Sequence, residues 1–225
     1  VYDFHTHTSL SDGCLSPLEI IRRALAKGYK AIALTDHVAI GYLDRIIKET
    51  IADCALAREH WDILAIPGVE LTHIPPRAIH KAAKQAKELG AWLVVVHGES
   101  IIEPVAEGTN RAALQCSYVD ILAHPGLLTL EEAQIAAANG VFVEITARKG
   151  HSLANGHISR LATLTGAKLL LNSDAHNETE LLSAGLAQAI ARGAGLDEAK
   201  TEETLRINAS ALVGRLPLIS RHSPL

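Results

Sequence analysis

The sequence contains few cysteines, few aromatic residues and no large excess of charge of either sign. Among its 225 residues are three cysteines, two tryptophans, two phenylalanines and no methionine. Because the cysteines are odd in number and far apart, no disulfide framework is predicted and a reducing compartment is favoured. Aromatic residues make up 4% of the chain, so the core must be built mainly from aliphatic side chains.

Long apolar runs and strongly basic segments are also missing. The longest apolar runs, such as 93–96, are far too short to span a membrane, and the N-terminus has no signal-peptide pattern. A net charge of −4 argues against a protein that binds long nucleic acid through a basic face, whereas a short nucleotide is compatible with it. We expect a cytoplasmic protein with no membrane association, and the sequence indicates no oligomeric state.

Short apolar runs alternate with stretches of helical periodicity along most of the chain. The runs lie at 1–4, 31–34, 63–66, 92–96, 119–123, 141–145 and 168–171. They are almost entirely apolar, which is typical of strands covered on both faces. Seven βα units without a linker predict a single α/β domain, a nearly closed parallel barrel over about 1–214 with a tail over 215–225. An open, doubly wound sheet is the alternative, although no glycine-rich phosphate loop follows the first strand.

Two short patterns predict where helices begin. Ser16 is followed three residues later by Glu19, and Thr129 is followed in the same way by Glu132. Both have the form of a capping box, in which the two side chains bond to each other's backbone N–H groups. Pro17, directly after Ser16, is also favoured at the first helical position.

The chain has twelve histidines, and several of them follow the predicted strands together with acidic residues. The residues in these positions are His5, His7, His37, Glu70, His97, His124, Asp174 and His176. In a parallel barrel the carboxyl ends of the strands meet on one face, which is the face that carries active sites. A single histidine of this kind could equally be a partly buried residue at a strand end, but the pattern repeats from strand to strand.

So many imidazoles and carboxylates on one face would repel each other unless cations held them together. The donors are nitrogen and oxygen without thiolate, which favours Zn, Mn, Fe or Co. Eight or nine ligands are too many for one ion, so two or three divalent cations are implied. Glu70 is the natural shared ligand because it lies on the third predicted strand, between the others.

The motifs resemble those of the PHP superfamily, named after polymerase and histidinol phosphatase. They are His5-Thr6-His7, Asp12-Gly13, Thr35-Asp36-His37, Gly68-Val69-Glu70, Val96-His97, Ala123-His124-Pro125 and Ser173-Asp174-Ala175-His176. The resemblance implies a distorted (β/α)7 parallel barrel, TIM-like and in one domain, with three metal ions at the strand ends. It assigns His5, His7, Glu70 and Asp174 to one ion, Glu70, His97 and His124 to a second, and Asp12, His37 and His176 to a third. Asp12 stands where some members carry histidine.

A metal cluster of this kind is suited to phosphoester hydrolysis, because it acidifies a water molecule and neutralises charge on a phosphoryl oxygen. We expect a metal-dependent phosphatase acting on a small phosphomonoester, similar to histidinol phosphatase, with Glu70, Asp174 and His176 as catalytic residues. A nuclease or nucleotide phosphodiesterase is one alternative, and a non-catalytic, metal-stabilised interaction module is another.

The loop after the sixth predicted strand supplies candidates for substrate contact. Arg148, Lys149 and His151 lie there, and arginine is suited to binding phosphate through two hydrogen bonds. The alternative for Arg148 and Lys149 is a pair of solvated surface residues. Glu99 and Glu144 could orient ligating imidazoles from behind, or could be charges at strand ends.

Overall fold

A computed structural model describes residues 1–217 of the chain and shows a parallel sheet that curves into a nearly closed barrel. Its strands are β1 (Tyr2–Asp3), β2 (Ala31–Leu34), β3 (His37–Val38), β4 (Leu64–Leu71), β5 (Leu93–His97), β6 (Ile121–Ala123), β7 (Phe142–Thr146) and β8 (Leu169–Asn172). They pair in the order β1-β2-β4-β5-β6-β7-β8, and short β3 pairs with the far end of β4. The predicted barrel is therefore confirmed; most of the predicted tail, from residue 218 onward, lies outside the described residues.

Backbone contacts between the first and last strands almost close the barrel. Thr6 forms an isolated parallel bridge with Ala175. The Asp174 N–H donates to the carbonyl of His5, and the His7 N–H donates to the carbonyl of Ala175, both at 2.9 Å. The loops after β1 and β8 are thus fixed against each other at the carboxyl face.

Helices alternate with the strands and cover the outside of the barrel. They are α1 (Pro17–Ala26), α2 (Leu43–His60), α3 (Ile79–Glu88), α4 (Thr109–Leu114), α5 (Leu130–Asn139), α6 (Asn155–Thr165), α7 (Ala184–Gly193), α8 (Glu198–Glu202) and α9 (Asn208–Val213). A π-helical turn, Glu203–Ile207, joins α8 to α9. Within residues 1–217, no helix combines the length and apolar character that a membrane crossing requires.

One of the two predicted capping boxes forms. Thr129 accepts a hydrogen bond from the Glu132 N–H, and the Glu132 carboxylate accepts one from the Thr129 N–H. At Ser16 the helix begins at Pro17 as predicted, but the predicted capping box was wrong, because the Ser16 side chain makes no capping hydrogen bond. Glu19 instead accepts from Arg23 one turn further along α1, so a side-chain pair on the helix replaces the box.

Alternation along the strands separates two apolar cores. In β2, Ile32 and Leu34 pack outward against the helices, whereas Ala31 and Ala33 belong to a smaller inner cluster. From α9, Leu212 joins this inner cluster, and Asn208 donates to the carbonyl of Leu169 at the start of β8. The interior of the barrel is therefore apolar toward its amino end, where α9 covers it.

Candidate metal centre

The nine predicted ligands lie at the carboxyl face of the barrel. Eight of them lie at or just after strand ends: His5, His7 and Asp12 follow β1, His37 begins β3, His97 ends β5, His124 follows β6, and Asp174 and His176 follow β8. The ninth, Glu70, lies inside β4, which is longer than expected. Eight of the side chains are buried or half-buried, whereas that of Asp12 is 55% exposed. The cluster is therefore a deep polar bowl with Asp12 at its open side.

The first group joins two imidazoles to two carboxylates. His5 Nε2 lies 3.3 Å from Glu70 Oε1 and 3.9 Å from Asp174 Oδ1. His7 Nε2 lies 3.1 Å from Asp174 Oδ1 and 3.7 Å from Glu70 Oε2. His5, His7 and Asp174 can each offer a ligand atom within 4.8 Å of the others. These are the four residues that the resemblance assigns to one ion.

A second group surrounds Asp12 at the open side of the bowl. His7, Asp12, His37 and His176 offer ligand atoms that all lie within 4.8 Å of one another. Asp12 Oδ2 lies 3.3 Å from His176 Nε2 and 3.7 Å from His37 Nε2. The expected set for this ion is thus brought together, with His7 shared from the first group.

The third group contains a histidine that the resemblance does not assign. His97, His124 and His151 offer ligand atoms within 4.8 Å of one another, and all three residues are buried. Glu70 Oε1 lies 3.7 Å from His124 Nε2, so Glu70 also faces this group. His151, predicted to contact substrate, is therefore a neighbour of the candidate ligands.

Several of the inward-facing atoms are buried and have no hydrogen-bond partner among the described residues. These atoms include His5 Nε2, both ring nitrogens of His7 and Glu70 Oε1. Leaving one such group unpaired costs about 1–3 kcal/mol, so native proteins seldom do it. Because nitrogen and carboxylate donors converge with free lone pairs, the residues present fit divalent cations.

Three of the six candidate imidazoles are oriented by a hydrogen bond from Nδ1–H. The Nδ1–H of His5 donates to Glu144 Oε2 (2.8 Å), that of His97 donates to the Gly98 carbonyl (3.1 Å), and that of His176 donates to the Asp174 carbonyl (3.0 Å). This arrangement leaves Nε2 of each ring as the lone-pair atom that points inward, which is how proteins prepare histidine for metal binding.

Two acidic residues were considered as groups that orient ligating imidazoles. Glu144 lies behind such an imidazole and Glu99 does not. Glu144 Oε2 also accepts from the Asn172 side chain at 2.8 Å, which fixes the carboxylate behind His5. Glu99 instead accepts from the Asn110 N–H near the start of α4.

Asp36, which the sequence analysis did not single out, holds the loop that carries Asp12. Its carboxylate accepts hydrogen bonds from the N–H and hydroxyl of Thr8 and from the N–H and hydroxyl of Ser11, at 2.6–3.1 Å. Gly13 completes the turn, because a Cβ there would lie 2.4 Å from the His7 carbonyl oxygen. The Thr-Asp-His motif therefore supplies a loop anchor as well as a candidate ligand.

Charges within the bowl shift the pKa values of its members. Burial raises the pKa of Glu70, but His5 and His37 outweigh it and hold that pKa well below its usual range. Burial and the neighbouring His97 hold the pKa of His124 well below that of a free imidazole. An ionised carboxylate and a neutral imidazole are the forms that bind cations.

The opposite shift occurs at His5, where burial lowers the pKa but the carboxylates of Glu144 and Glu70 raise it well above its usual value. His5 therefore holds a proton more strongly than a free imidazole does. A cation at this position must compete with that proton.

Two candidate ligands hold unusual backbone conformations. His124 has φ of 25° and Asp174 has φ of 53°, in the left-handed region that side chains rarely occupy. Such conformations persist only where surrounding structure imposes them, and they concentrate at functional sites. Both residues lie just after strands, where the turn directs their side chains into the bowl.

The other two predicted substrate contacts lie away from the bowl's interior. Arg148 donates to Glu180 Oε2 at 2.9 Å, and the same oxygen accepts from the His176 N–H at 2.7 Å. Lys149 is exposed. Arg148 therefore reaches the candidate ligand His176 through Glu180.

Comparison with known proteins identifies the family. The model of the PHP domain matches residues 3–147, and the chain belongs to this family. It is 47% identical to uncharacterized protein MJ1295 of Methanocaldococcus jannaschii, over 96% of this chain and 99% of that protein. It is also 28% identical to the DNA polymerase/3'-5' exonuclease PolX of Bacillus subtilis, over 78% of this chain but only 34% of PolX.

The fold is also found among solved structures. A chain in the cryo-EM structure of archaeal ribonuclease P with mature tRNA aligns with a TM-score of 0.71 at 15% sequence identity. The alignment covers 99% of this chain and 97% of that chain. At this identity the likeness concerns the fold, which the two chains share over nearly their whole lengths.

Proposed function

We propose that this protein is a metal-dependent phosphoesterase that uses up to three divalent cations, such as Zn, Mn or Fe, held by the nine residues at the carboxyl face. The observation that carries the proposal is the convergence of buried, unpartnered imidazole and carboxylate atoms on one bowl. When bound there, divalent cations supply an acidified water and neutralise charge on a phosphoryl oxygen.

Two carboxylates each face more than one group of candidate ligands and would hold more than one cation. Glu70 Oε1 faces His5 and His124, whereas Glu70 Oε2 lies 3.7 Å from His7 Nε2 and 2.6 Å from His37 Nδ1. Asp174 is divided similarly, with Oδ1 toward His7 and Oδ2 3.6 Å from His124 Nε2. Glu70 and Asp174 are therefore the residues whose loss should disturb more than one cation.

The open side of the bowl favours a small phosphorylated substrate. Asp12 and His37 lie there, and Arg148 is already paired with Glu180. With a net charge of −4, the chain has little to attract a long polyanion except the cations themselves. His176 lies beside Asp12 and is only slightly exposed, and in this proposal it would meet the substrate phosphate at the rim. A phosphomonoester, as in histidinol phosphatase, is our first choice.

Exonucleolytic cleavage of a short nucleotide chain is the second candidate. It is supported by the similarity to PolX, whose name includes a 3'-5' exonuclease activity, over 78% of this chain. The same bowl would serve both reactions, because both break a P–O bond at a phosphate group. The two candidates differ in whether the phosphate carries one ester or two.

The decisive experiment is an assay of the purified protein loaded with Mn or Zn. A chromogenic phosphomonoester and the corresponding bis-ester are compared first, followed by histidinol phosphate, other phosphorylated metabolites and short oligonucleotides. Hydrolysis of monoesters alone supports the phosphatase, and preferential hydrolysis of the bis-ester and oligonucleotides supports the nuclease. Absence of turnover on every substrate, in protein shown to hold cations, contradicts the proposal and favours a non-catalytic module.

A further inference from the structure

His151 shares the features that distinguish the candidate metal ligands from other histidines of the chain. It lies in a 3₁₀ turn (His151–Ala154) after β7, yet its side chain is only 6% exposed. Its ring stacks on that of His124 with centroids 4.1 Å apart. By contrast, the side chain of His60, on α2, is 60% exposed. The chain thus folds back after β7 to place one more imidazole in the bowl.

The two nitrogens of this ring are arranged like those of His5 and His97. Nδ1 of His151 lies 2.6 Å from the Ser100 hydroxyl, on the side away from the bowl. In the tautomer whose Nδ1–H donates to Ser100, the Nε2 lone pair faces His97 and His124. This is the orientation that a metal-binding imidazole requires.

A carboxylate from another loop marks the point at which two of these imidazoles converge. Glu103 Oε2 lies 2.9 Å from His97 Nε2, and Glu103 Oε1 lies 3.3 Å from His151 Nε2. Because one carboxylate reaches both ring nitrogens, the nitrogens face a common position. The side chain of Glu103 is 38% exposed, so this position lies at the edge of the bowl.

The loops that carry Glu103 and His151 are packed closely on each other. Gly150, with φ of 90°, lies directly before His151, and a Cβ there would come within 2.6 Å of Ile102 Cδ1. The Ile102 N–H lies 3.4 Å from the Ser100 hydroxyl oxygen, to which it donates. The glycine therefore allows the close approach that brings Ser100, Glu103 and His151 together.

We propose that His151 and Glu103 are additional metal ligands, so that the cation assigned to Glu70, His97 and His124 is also bound by the His151 imidazole and the Glu103 carboxylate. This assignment rests on the proposed function only in requiring that a cation occupies the group. A site with three neutral imidazoles and carboxylate oxygens suits zinc-like cations. Ser100 is the positioning residue for His151.

The test is metal binding, measured without reference to turnover. Wild type and the variants His151→Asn, Glu103→Gln and Ser100→Ala are stripped of metal, titrated with Zn in competition with a chromogenic chelator, and analysed for bound metal. His60→Asn and Glu107→Gln are the matched controls, because both residues are exposed. Circular dichroism and thermal melting of the stripped proteins check that each variant folds.

We expect His151→Asn to weaken one cation equivalent by at least about 100-fold, while the remaining equivalents keep their affinity. Loss of an orienting partner typically costs about 10–100-fold in metal affinity, so Ser100→Ala should weaken the same equivalent by about tenfold. Glu103→Gln should fall between these two, and the controls should match wild type.

Wild-type affinity for every equivalent in His151→Asn and Glu103→Gln would overturn the assignment and leave the proposed phosphoesterase intact. If His151→Asn does not fold, Glu103→Gln and Ser100→Ala decide in the same way. Cation binding as assigned in a protein without phosphoesterase turnover would refute the proposed function and support this inference. A wild-type protein that binds no cation would refute both.

Discussion

The two ends of the barrel interior are built on the same strands but have opposite chemistry. At the amino end, Leu212 of α9 packs on an apolar cluster that includes Phe142 of β7. Two residues further along the same strand, Glu144 is buried at the base of the polar bowl, where it accepts from His5. The strand β7 thus contributes Phe142 to the apolar end of the barrel interior and Glu144 to the polar end.

The comparison teaches that the two ends carry different tasks. The apolar end gains free energy from burial, at about 25 cal/mol per Å² of apolar surface. The polar end buries imidazole and carboxylate atoms without partners, which costs free energy until cations bind. Changes at the bowl should therefore alter function with little loss of fold, and changes at the amino end should do the reverse.

The largest expected effect is that of Glu70→Gln at the bowl. The variant keeps the size of the side chain but removes the charge that faces both the His5 side and the His37 side. Loss of several kcal/mol of transition-state stabilisation predicts a fall in kcat/KM of about a thousandfold or more, with an unchanged circular dichroism spectrum. Steady-state kinetics beside His60→Asn check this; full turnover in Glu70→Gln would contradict a metal mechanism.

At the amino end we predict the opposite result for Leu212→Ala, which should lower the stability of the fold and leave the metal site unchanged. Leu212 is fully buried in the inner cluster, and removing such a side chain costs about 2–5 kcal/mol of unfolding free energy. Urea denaturation measures the loss. Leu164→Ala, at a 65% exposed position, is the control, and its free energy of unfolding should change by less than about 0.5 kcal/mol. Below the transition, metal affinity should match wild type; a weakened metal site would show that the two ends are coupled.

Cation binding should stabilise the bowl and hence the whole fold. At a free Zn concentration of about 100 times Kd, the gain is about 2.7 kcal/mol per independent site, which for this size is a rise in Tm of about 5–10 °C. Differential scanning calorimetry with and without Zn measures it. In His5→Asn, which lacks a fully buried candidate ligand of one cation, the share of the gain that comes from that cation should vanish. An undiminished shift in that variant would indicate binding elsewhere on the chain.

The barrel and the positions of the strand-end residues could be predicted from the sequence because both follow from periodicity. An apolar run predicts a strand, and parallel topology brings the ends of all strands to one face, so His97 and His124 meet although 27 residues separate them. β3 was missed because it has only two residues and its formation depends on its pairing with β4. The break between α8 and α9 likewise has no local glycine or proline signal.

The loop contributions could not be predicted, because no periodicity relates a loop residue to its partner. Glu103 comes six residues after His97 in a segment without helical or strand pattern, and only the folded loop brings it back to that ring. Arg148 is expected to bind substrate because it follows a strand, and that stays a prediction; the partner that the fold gives it, Glu180, is 32 residues away and lies beyond β8. Sequence position indicates which face of the barrel a loop residue is near, whereas its contact partner is determined by the tertiary structure.

Arg148→Gln should have the smallest effect of these changes and shows how far the bowl depends on its rim. The Arg148–Glu180 pair is partly exposed, so its loss should cost no more than about 1 kcal/mol of stability. Glu180 keeps its bond to the His176 N–H in the variant, because that donor is backbone.

If Arg148 acts only through Glu180, kcat should fall by less than about tenfold, since the lost interaction is worth about 1 kcal/mol, and KM should stay the same. A direct phosphate contact would instead raise KM severalfold with kcat unchanged. Arg111→Gln, which removes a more exposed pair with Glu131, is the matched control and should alter neither constant.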